Sequence, residues 1–266
     1  MDPFSHKARK RFGQNFLSDP GIIQRIVSSI APREDDNIVE IGPGKGAITA
    51  LLLEACPKLN VVELDRDLIP ILLAQFAVFK DFKIHQADAL KFDFASLAED
   101  KPLRIVGNLP YNISTPLIFH LLSYHGKVQD MHFMLQKEVV ERMAAVPGQK
   151  SYGRLGIMVQ YYCQVENLFL VPPECFQPQP KVDSAIVRLR PFQELPYPAK
   201  DVKLLERVVN VAFQQRRKTL RNGLKQLANS EQLDALKTDI SVRAENLSVE
   251  QFVALSDELL DLGVKI

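Results

Sequence analysis

Apolar positions in the first two thirds of the chain switch repeatedly between a period near 3.6 and short continuous runs. Asp19-Pro20 reads as an N-cap with proline at the first helical position; Ile22, Ile23, Ile26, Val27 and Ile30 then follow at helical spacing until Pro32. NIVEIG (37–42) reads as a buried strand, and residues 44–56 carry Ala47, Ile48, Leu51, Leu52 and Ala55 on one helical face. The alternation continues with strands at 60–65, 83–88, 103–108 and 131–136 and helices at 67–79, 114–124, 137–146 and 152–162. Two later extended stretches, 164–171 and 183–190, fit a hairpin-like sheet edge. This order predicts an α/β fold, a parallel sheet with right-handed crossovers and helices on both faces. Ligands of such sheets lie beyond the carboxyl ends of the strands. Positions 42–46, 63–65, 88 and 108–111 are therefore read as one site.

After Pro191 the pattern changes. PFQELPYPAK (191–200) is proline-rich and reads as a linker, and only helical spacing remains beyond it. Leu205, Val208, Val209 and Ala212 form one stripe, and Leu220, Leu224 and Leu227 another. Ser248 and Gln251 match a capping box, Phe252, Leu255 and Leu259 face inward, and Gly263 fits a helix end. The expected division is a sheet domain at 1–192, opening on a basic segment at 1–18, a linker at 193–199 and a small all-helical domain at 200–266.

Composition narrows the partners. The chain is 46% hydrophobic and 24% charged, as in soluble globular proteins, but its net charge is only +1. Attraction to nucleic acid must then come from local basic patches. Cys56, Cys163 and Cys175 form no CxxC pair, and five scattered histidines give no metal spacing. A reduced, cytoplasmic, metal-free protein is expected, acting as a monomer. The start, MDPFSHKARKRF, lacks the apolar core of a signal peptide, and the longest apolar patch, 68–79, is too short to span a bilayer.

EIGPGKGAIT (40–49) turns a strand into a helix through three glycines. Glycine lets a ligand approach the backbone, and a helix N-terminus offers N–H groups. The GxGxG spacing misses the dinucleotide fingerprint, and Lys45-Gly46-Ala47 lacks the hydroxyl of a phosphate-binding loop. Glu63 ends the second strand, where a carboxylate can accept both ribose hydroxyls; Asp88 ends the third and can accept from an adenine amino group. This acidic, phosphate-free set suits a cationic sulfonium cofactor better than a pyrophosphate. The plainer readings are a bare tight turn, a solvated Glu63, and Asp88 as a helix N-cap.

RIVGNLPYNIST (104–115) presents an amide, a proline and a tyrosine directly after a strand. The exocyclic N6 of adenine is a poor nucleophile because its lone pair is delocalised into the ring. Two acceptors aimed at its hydrogens favour a localised, pyramidal lone pair, and Asn108 Oδ1 and the Leu109 carbonyl are two such acceptors. Pro110 fixes φ and stiffens them, and the Tyr111 ring offers a surface on which a base stacks. The plainer reading is a proline turn with a buried tyrosine.

NLPY resembles the Asp/Asn/Ser–Ile/Pro–Pro–Tyr/Phe motif of amino-methyltransferases. With KRFGQNFL, EIGPGKG, VVELDRDL, QADAL, FQPQPKVDSAIVRL (176–189) and AFQQRRKTLRNGL (212–224), the whole chain is similar to the ribosomal RNA adenine dimethyltransferase family, most closely its bacterial small-subunit members. The resemblance implies a Rossmann-like class I methyltransferase sheet with a helical C-terminal domain, and S-adenosylmethionine as cofactor. It also implies N6,N6-dimethylation of two adjacent adenosines in the 3′-terminal hairpin of 16S rRNA, in the 30S subunit or its precursor, late in assembly. Carried over by position, Asn15 and Leu17 line the cofactor's methionine end and Gly42 is the close-approach glycine. Glu63 holds the ribose, Asp88 reads the adenine, and Asn108 spans cofactor and target. Phe176 closes on the other face of the target base; its plainer reading is core packing.

Two basic runs are expected to hold RNA phosphates: Lys7, Arg9, Lys10 and Arg11, and Arg216, Arg217, Lys218, Arg221 and Lys225. On a helix, 217, 221 and 225 share a face. Either run alone can be a merely solvated face. The rival functions are a large-subunit (23S) rRNA adenine dimethylase, a DNA adenine methylase, a dehydrogenase and a mainly non-catalytic ribosome assembly factor. The KRFGQNFL start and the CFQPQPKVDSA segment favour the small-subunit enzyme, and the missing GxGxxG disfavours a dehydrogenase.

Overall fold

The computed structural model describes residues 15–98, 100–215 and 217–265. Lys7, Arg9, Lys10, Arg11 and Arg216 lie outside the described residues. In chain order the strands are β1 (Phe16–Leu17), β2 (Asn37–Ile41), β3 (Leu59–Glu63), β4 (Lys83–Gln86), β5 (Leu103–Asn108), β6 (Val128–Gln136), β7 (Cys163–Val171), β8 (Phe176–Gln177) and β9 (Ser184–Pro191). The helices are α1 (Pro20–Ile30), α2 (Ala47–Ala55), α3 (Ile69–Gln75), α4 (Ser114–Leu122), α5 (Lys137–Ala144), α6 (Arg154–Tyr162), α7 (Val202–Gln214), α8 (Leu220–Leu224), α9 (Ser230–Asp234) and α10 (Val249–Asp261). Among the described residues no helix is long and apolar enough to cross a membrane.

The main sheet has seven strands in the order β4-β3-β2-β5-β6-β9-β7. Pairings from β4 through β6 are parallel, and β9 runs antiparallel to β6, so the fold is the expected α/β type with an extended pair at one edge. The chain order reverses between β2 and β5, which places a ligand crevice at their carboxyl ends. Register puts Ile38, Val61, Val106, Met134 and Ile186 in one core cluster with Ile26 and Ile30 of α1 and Leu52 of α2. The alternate residues Val39, Ile105, Phe133 and Val187 are equally buried, so both faces of the sheet are covered.

Local signals set the element ends. Asp19 Oδ1 accepts from the Ile22 N–H at 2.8 Å, Pro20 stands in the first turn, and α1 stops at Ala31 in the left-handed region. Arg104 of β5 satisfies that helix end: Nη2 donates to the Ile30 carbonyl at 2.6 Å. The same guanidinium pairs with Asp36 at 2.6 Å and Asp130 at 2.9 Å, so the buried charge is matched. Helix α3 is shorter than the expected 67–79. Pro70 pins its start, and Phe76 leaves helical geometry at its end.

By contacts the chain divides into two units, residues up to Val140 with Glu166–Pro191, and Glu141–Val165 with the chain from Phe192 onward. Residues 141–165, inside the expected 1–192 domain, thus group with the C-terminal helices. Buried side chains of α6, the Tyr152–Phe213 ring contact and a set of hydrogen bonds that no periodicity reveals tie them there. Tyr152 Oη donates to the Leu247 carbonyl at 2.8 Å, the Gly148 N–H to Glu245 O at 2.7 Å, and Arg154 Nη1 to Asn210 Oδ1 at 3.1 Å. In the same unit the expected stripes of α7 and α10 are buried, and Ser248 with Gln251 closes the capping box of α10.

Candidate functional site

A cavity of about 320 Å³ opens at the carboxyl ends of β2, β3 and β5, within the size range of small-molecule sites. Asn15, Leu17, Gly42, Glu63, Asp88 and Asn108, the six expected cofactor residues, all line it. So do Leu109, Pro110, Tyr111 and Phe176.

The glycine turn forms its floor. Gly42 has φ +66, and a Cβ there would meet nothing closer than the Asn108 carbonyl at 3.8 Å. A side chain would therefore occupy the cavity itself, which fits close approach by a ligand. Gly44 lies under the Phe16 ring, 3.1 Å from where its Cβ would be, and Lys45 Nζ stands 5.0 Å from the centre of that ring. Phe16 is held there by an element too short to leave a sequence pattern. β1 pairs antiparallel with β8, setting Leu17 opposite Phe176.

Carboxylates make the walls. Glu63 is not the solvated charge of the plainer reading: it is 7% exposed, and burial pushes its pKa up. Its Oε1 accepts the Asp65 N–H at 2.7 Å. Glu40, one strand over, was missed by the sequence reading. It is buried and lines the cavity, and its Oε2 accepts the Thr49 hydroxyl at 2.6 Å. Burial first, and the neighbouring Glu63 second, push its pKa up to about 7 against the Thr49 hydrogen bond. The available signal was a lone charged residue in the strand Asn37–Ile41. Asp88 Oδ1 accepts the Leu90 N–H at 3.0 Å, a turn bond close to the capping alternative, and leaves Oδ2 as a second acceptor. The lining suits a cationic nucleoside: a buried carboxylate, an acceptor for an amine, and excess negative charge.

The opposite wall is the 108–111 turn. Gly107 sets its height, because a Cβ there would fall 2.6 Å from the Ile41 carbonyl. Asn108 Nδ2 donates to the Asn15 carbonyl at 3.1 Å, which commits the donor end of the amide and leaves Oδ1 to accept. The Leu109 N–H donates to the Met134 carbonyl at 3.2 Å and its side chain is buried, fixing the next peptide. Tyr111 Oη lies 3.1 Å from Ser184 Oγ at the start of β9, a steadying contact that no local pattern announced. Phe176 is buried in the core cluster and also borders the cavity, so its packing role is real whatever else it does.

The second basic run is arranged differently from expectation. Helix α8 has only five residues and begins after Thr219, so Arg217 stands in the preceding turn. Residues 217, 221 and 225 therefore do not share one helical face. Arg217, Lys218 and Lys225 are exposed, while Arg221 pairs with Asp234 at 2.6 Å.

Residues 5–261 match the family model described as ribosomal RNA adenine dimethylase. Over 260 residues the chain is 66% identical to Ribosomal RNA small subunit methyltransferase A of Saccharophagus degradans, covering 97% of each chain. Among solved structures it resembles a dimethyladenosine transferase from Plasmodium falciparum, with TM-score 0.80 and 27% identity over 94% of this chain and 98% of that one. The 23S rRNA methyltransferase ErmE shares the fold, with TM-score 0.72 and 24% identity over 92% of this chain and 99% of its own.

Proposed function

The chain belongs to the ribosomal RNA adenine dimethylase family, and on that premise we propose that it uses S-adenosylmethionine to dimethylate N6 of two adjacent adenosines in the 3′-terminal hairpin of 16S rRNA. The substrate is the small ribosomal subunit or its late precursor, and the enzyme acts in the cytoplasm as a monomer. The observation that carries this reading is that the 108–111 turn and the acidic glycine-turn wall face one cavity. Close relatives that carry the small-subunit name support 16S over 23S rRNA.

S-adenosylmethionine supplies an electrophilic methyl group on a sulfonium. Gly42 would let the nucleoside lie against the backbone, Glu63 would hold its ribose hydroxyls, Asp88 would read its adenine amine, and Asn15 and Leu17 would line the amino-acid end. Asn108 Oδ1 and the Leu109 carbonyl accept the two N6 hydrogens of the target adenine and sharpen its lone pair. Tyr111 and Phe176 bracket the base, and stacking of this kind contributes roughly 1–3 kcal/mol. Positioning amine against methyl is the main catalytic term, with about 7–11 kcal/mol in principle available to it. No strong general base is needed, because the alkylated amine is acidic enough to release its proton to water. In this reading residues 1–192 carry cofactor and chemistry, and residues 200–266 add RNA contacts. Arg217, Lys218, Lys225 and Arg221, with Arg216 and the run Lys7, Arg9, Lys10 and Arg11, contact RNA phosphates.

Incubation with labelled cofactor and unmethylated ribosomal subunits, followed by mass-spectrometric mapping, tests the reading. Two adjacent N6,N6-dimethyladenosines in the 3′-terminal hairpin of 16S rRNA are expected. Label confined to large-subunit RNA, or no label on RNA, overturns it.

A further inference from the structure

The cavity lining is electrically lopsided. Among the described residues it carries four carboxylates, Glu40, Glu63, Asp65 and Asp88, and a single cationic side chain, Lys45. That excess suits a sulfonium and an ammonium, but it repels the carboxylate at the amino-acid end of the cofactor. Among the described residues Lys45 is the lining side chain that can offer such a carboxylate a positive partner, beside the N–H groups of the glycine turn.

Lys45 is placed for that task. It lies between Gly44 at φ +59 and Gly46 at φ +81, so the turn on both sides is set in a conformation that side chains rarely tolerate. The residue is exposed at the cavity lining, and its Nζ rests 5.0 Å from the centre of the Phe16 ring. Phe16 packs on Gly44 and is flanked in sequence by Asn15 and Leu17, which line the same cavity. The aromatic face thus parks the ammonium beside the segment assigned to the amino-acid end.

We propose that Lys45 binds the carboxylate of the cofactor's amino-acid end, and that this one charge lets a strongly acidic cavity accept a zwitterionic tail. The inference rests on the reading of the cavity as an S-adenosylmethionine site. The ligand class it selects is a nucleoside carrying both an ammonium and a carboxylate, over the same nucleoside without the carboxylate.

Calorimetric titration separates the two ideas. S-adenosylhomocysteine and its decarboxylated analogue, S-adenosyl-3-thiopropylamine, are titrated into the wild type, Lys45→Met, Lys45→Gln and Lys45→Arg. The wild type is expected to prefer S-adenosylhomocysteine. Lys45→Met and Lys45→Gln weaken that ligand about tenfold, the order of one charge-assisted hydrogen bond, and leave the analogue within about twofold. Lys45→Arg restores most of the preference, and the thermal midpoint of every variant stays at the wild-type value because the side chain is exposed. Equal weakening of both ligands, unchanged affinity for both, or a loss confined to RNA binding overturns the role of Lys45. Failure of the wild type to bind either ligand overturns the cofactor reading instead, and the inference with it.

Discussion

Asn108 spends its amide nitrogen on the Asn15 carbonyl at 3.1 Å, and so a segment distant in sequence decides which end of the amide can face a substrate. Glu40 shows the same dependence on distant neighbours. Its ordinary value of 4.5 rises to about 7 because it is buried beside Glu63. Near pH 6 the unliganded cavity therefore holds Glu40 mostly as the neutral acid, and a cationic ligand favours the ionised form. Binding of S-adenosylmethionine then releases protons at about pH 6 and few at about pH 8, with affinity rising as pH climbs towards about 7. Calorimetry in buffers of different ionisation enthalpy measures this release. Glu40→Gln removes it, and an unchanged release in that variant would show that another group is responsible. The places of Glu63 and Asp88 were legible because one ends β3 and the other follows β4 by two residues, both at the rim of a parallel sheet, although the strand expected at 83–88 stops at Gln86. Glu40 left only the weaker signal of a lone charge inside a mostly apolar strand, and the neighbours that bury it at the cavity are not read from the chain.

The elements most legible in the chain were those whose periodicity lasts several turns or a whole strand. The strand at 103–108 has the expected limits, and the α10 capping box is formed by Ser248 and Gln251. The two-residue strands β1 and β8 gave no signal, yet their pairing holds Leu17 against Phe176 at the cavity. Helix α8 was over-read because basic residues at four-residue intervals suggest a helix whether or not the backbone starts one. Between β2 and β5, Gly107 is a packing requirement. A Cβ 2.6 Å from the Ile41 carbonyl forces the two strands apart, and Asn108 is the next residue. Gly107→Ala is expected to cost about 1–3 kcal/mol in urea unfolding, as overpacking does, and to depress methyl transfer far beyond what the lost folded fraction explains. A variant with wild-type midpoint and rate would show that the strand spacing does not set the Asn108 position.

Across the whole molecule the near-neutral charge hides strong local contrasts. One unit holds a cavity walled by four carboxylates, and the other presents exposed Arg217, Lys218 and Lys225. A net charge of +1 gives no hint of either, whereas the strand-end positions and the basic run do. The division into units was only half legible. The proline-rich stretch marks where the C-terminal helices begin, but residues 141–165 join them through contacts that leave no pattern in the sequence, among them the Tyr152 hydrogen bond to Leu247, its edge-on ring contact with Phe213, and the Arg154–Asn210 bond. The architecture as a whole turns on whether the amide at the end of β5 acts on the target amine. The most direct measurement is the single-turnover rate of methyl transfer to unmethylated small subunits by Asn108→Ala, at saturating cofactor and RNA. Removing one preorganised polar group from a reacting centre typically costs on the order of 10²–10³ in rate, and a fall of at least about a hundredfold is predicted. A rate within about threefold of wild type would contradict the account.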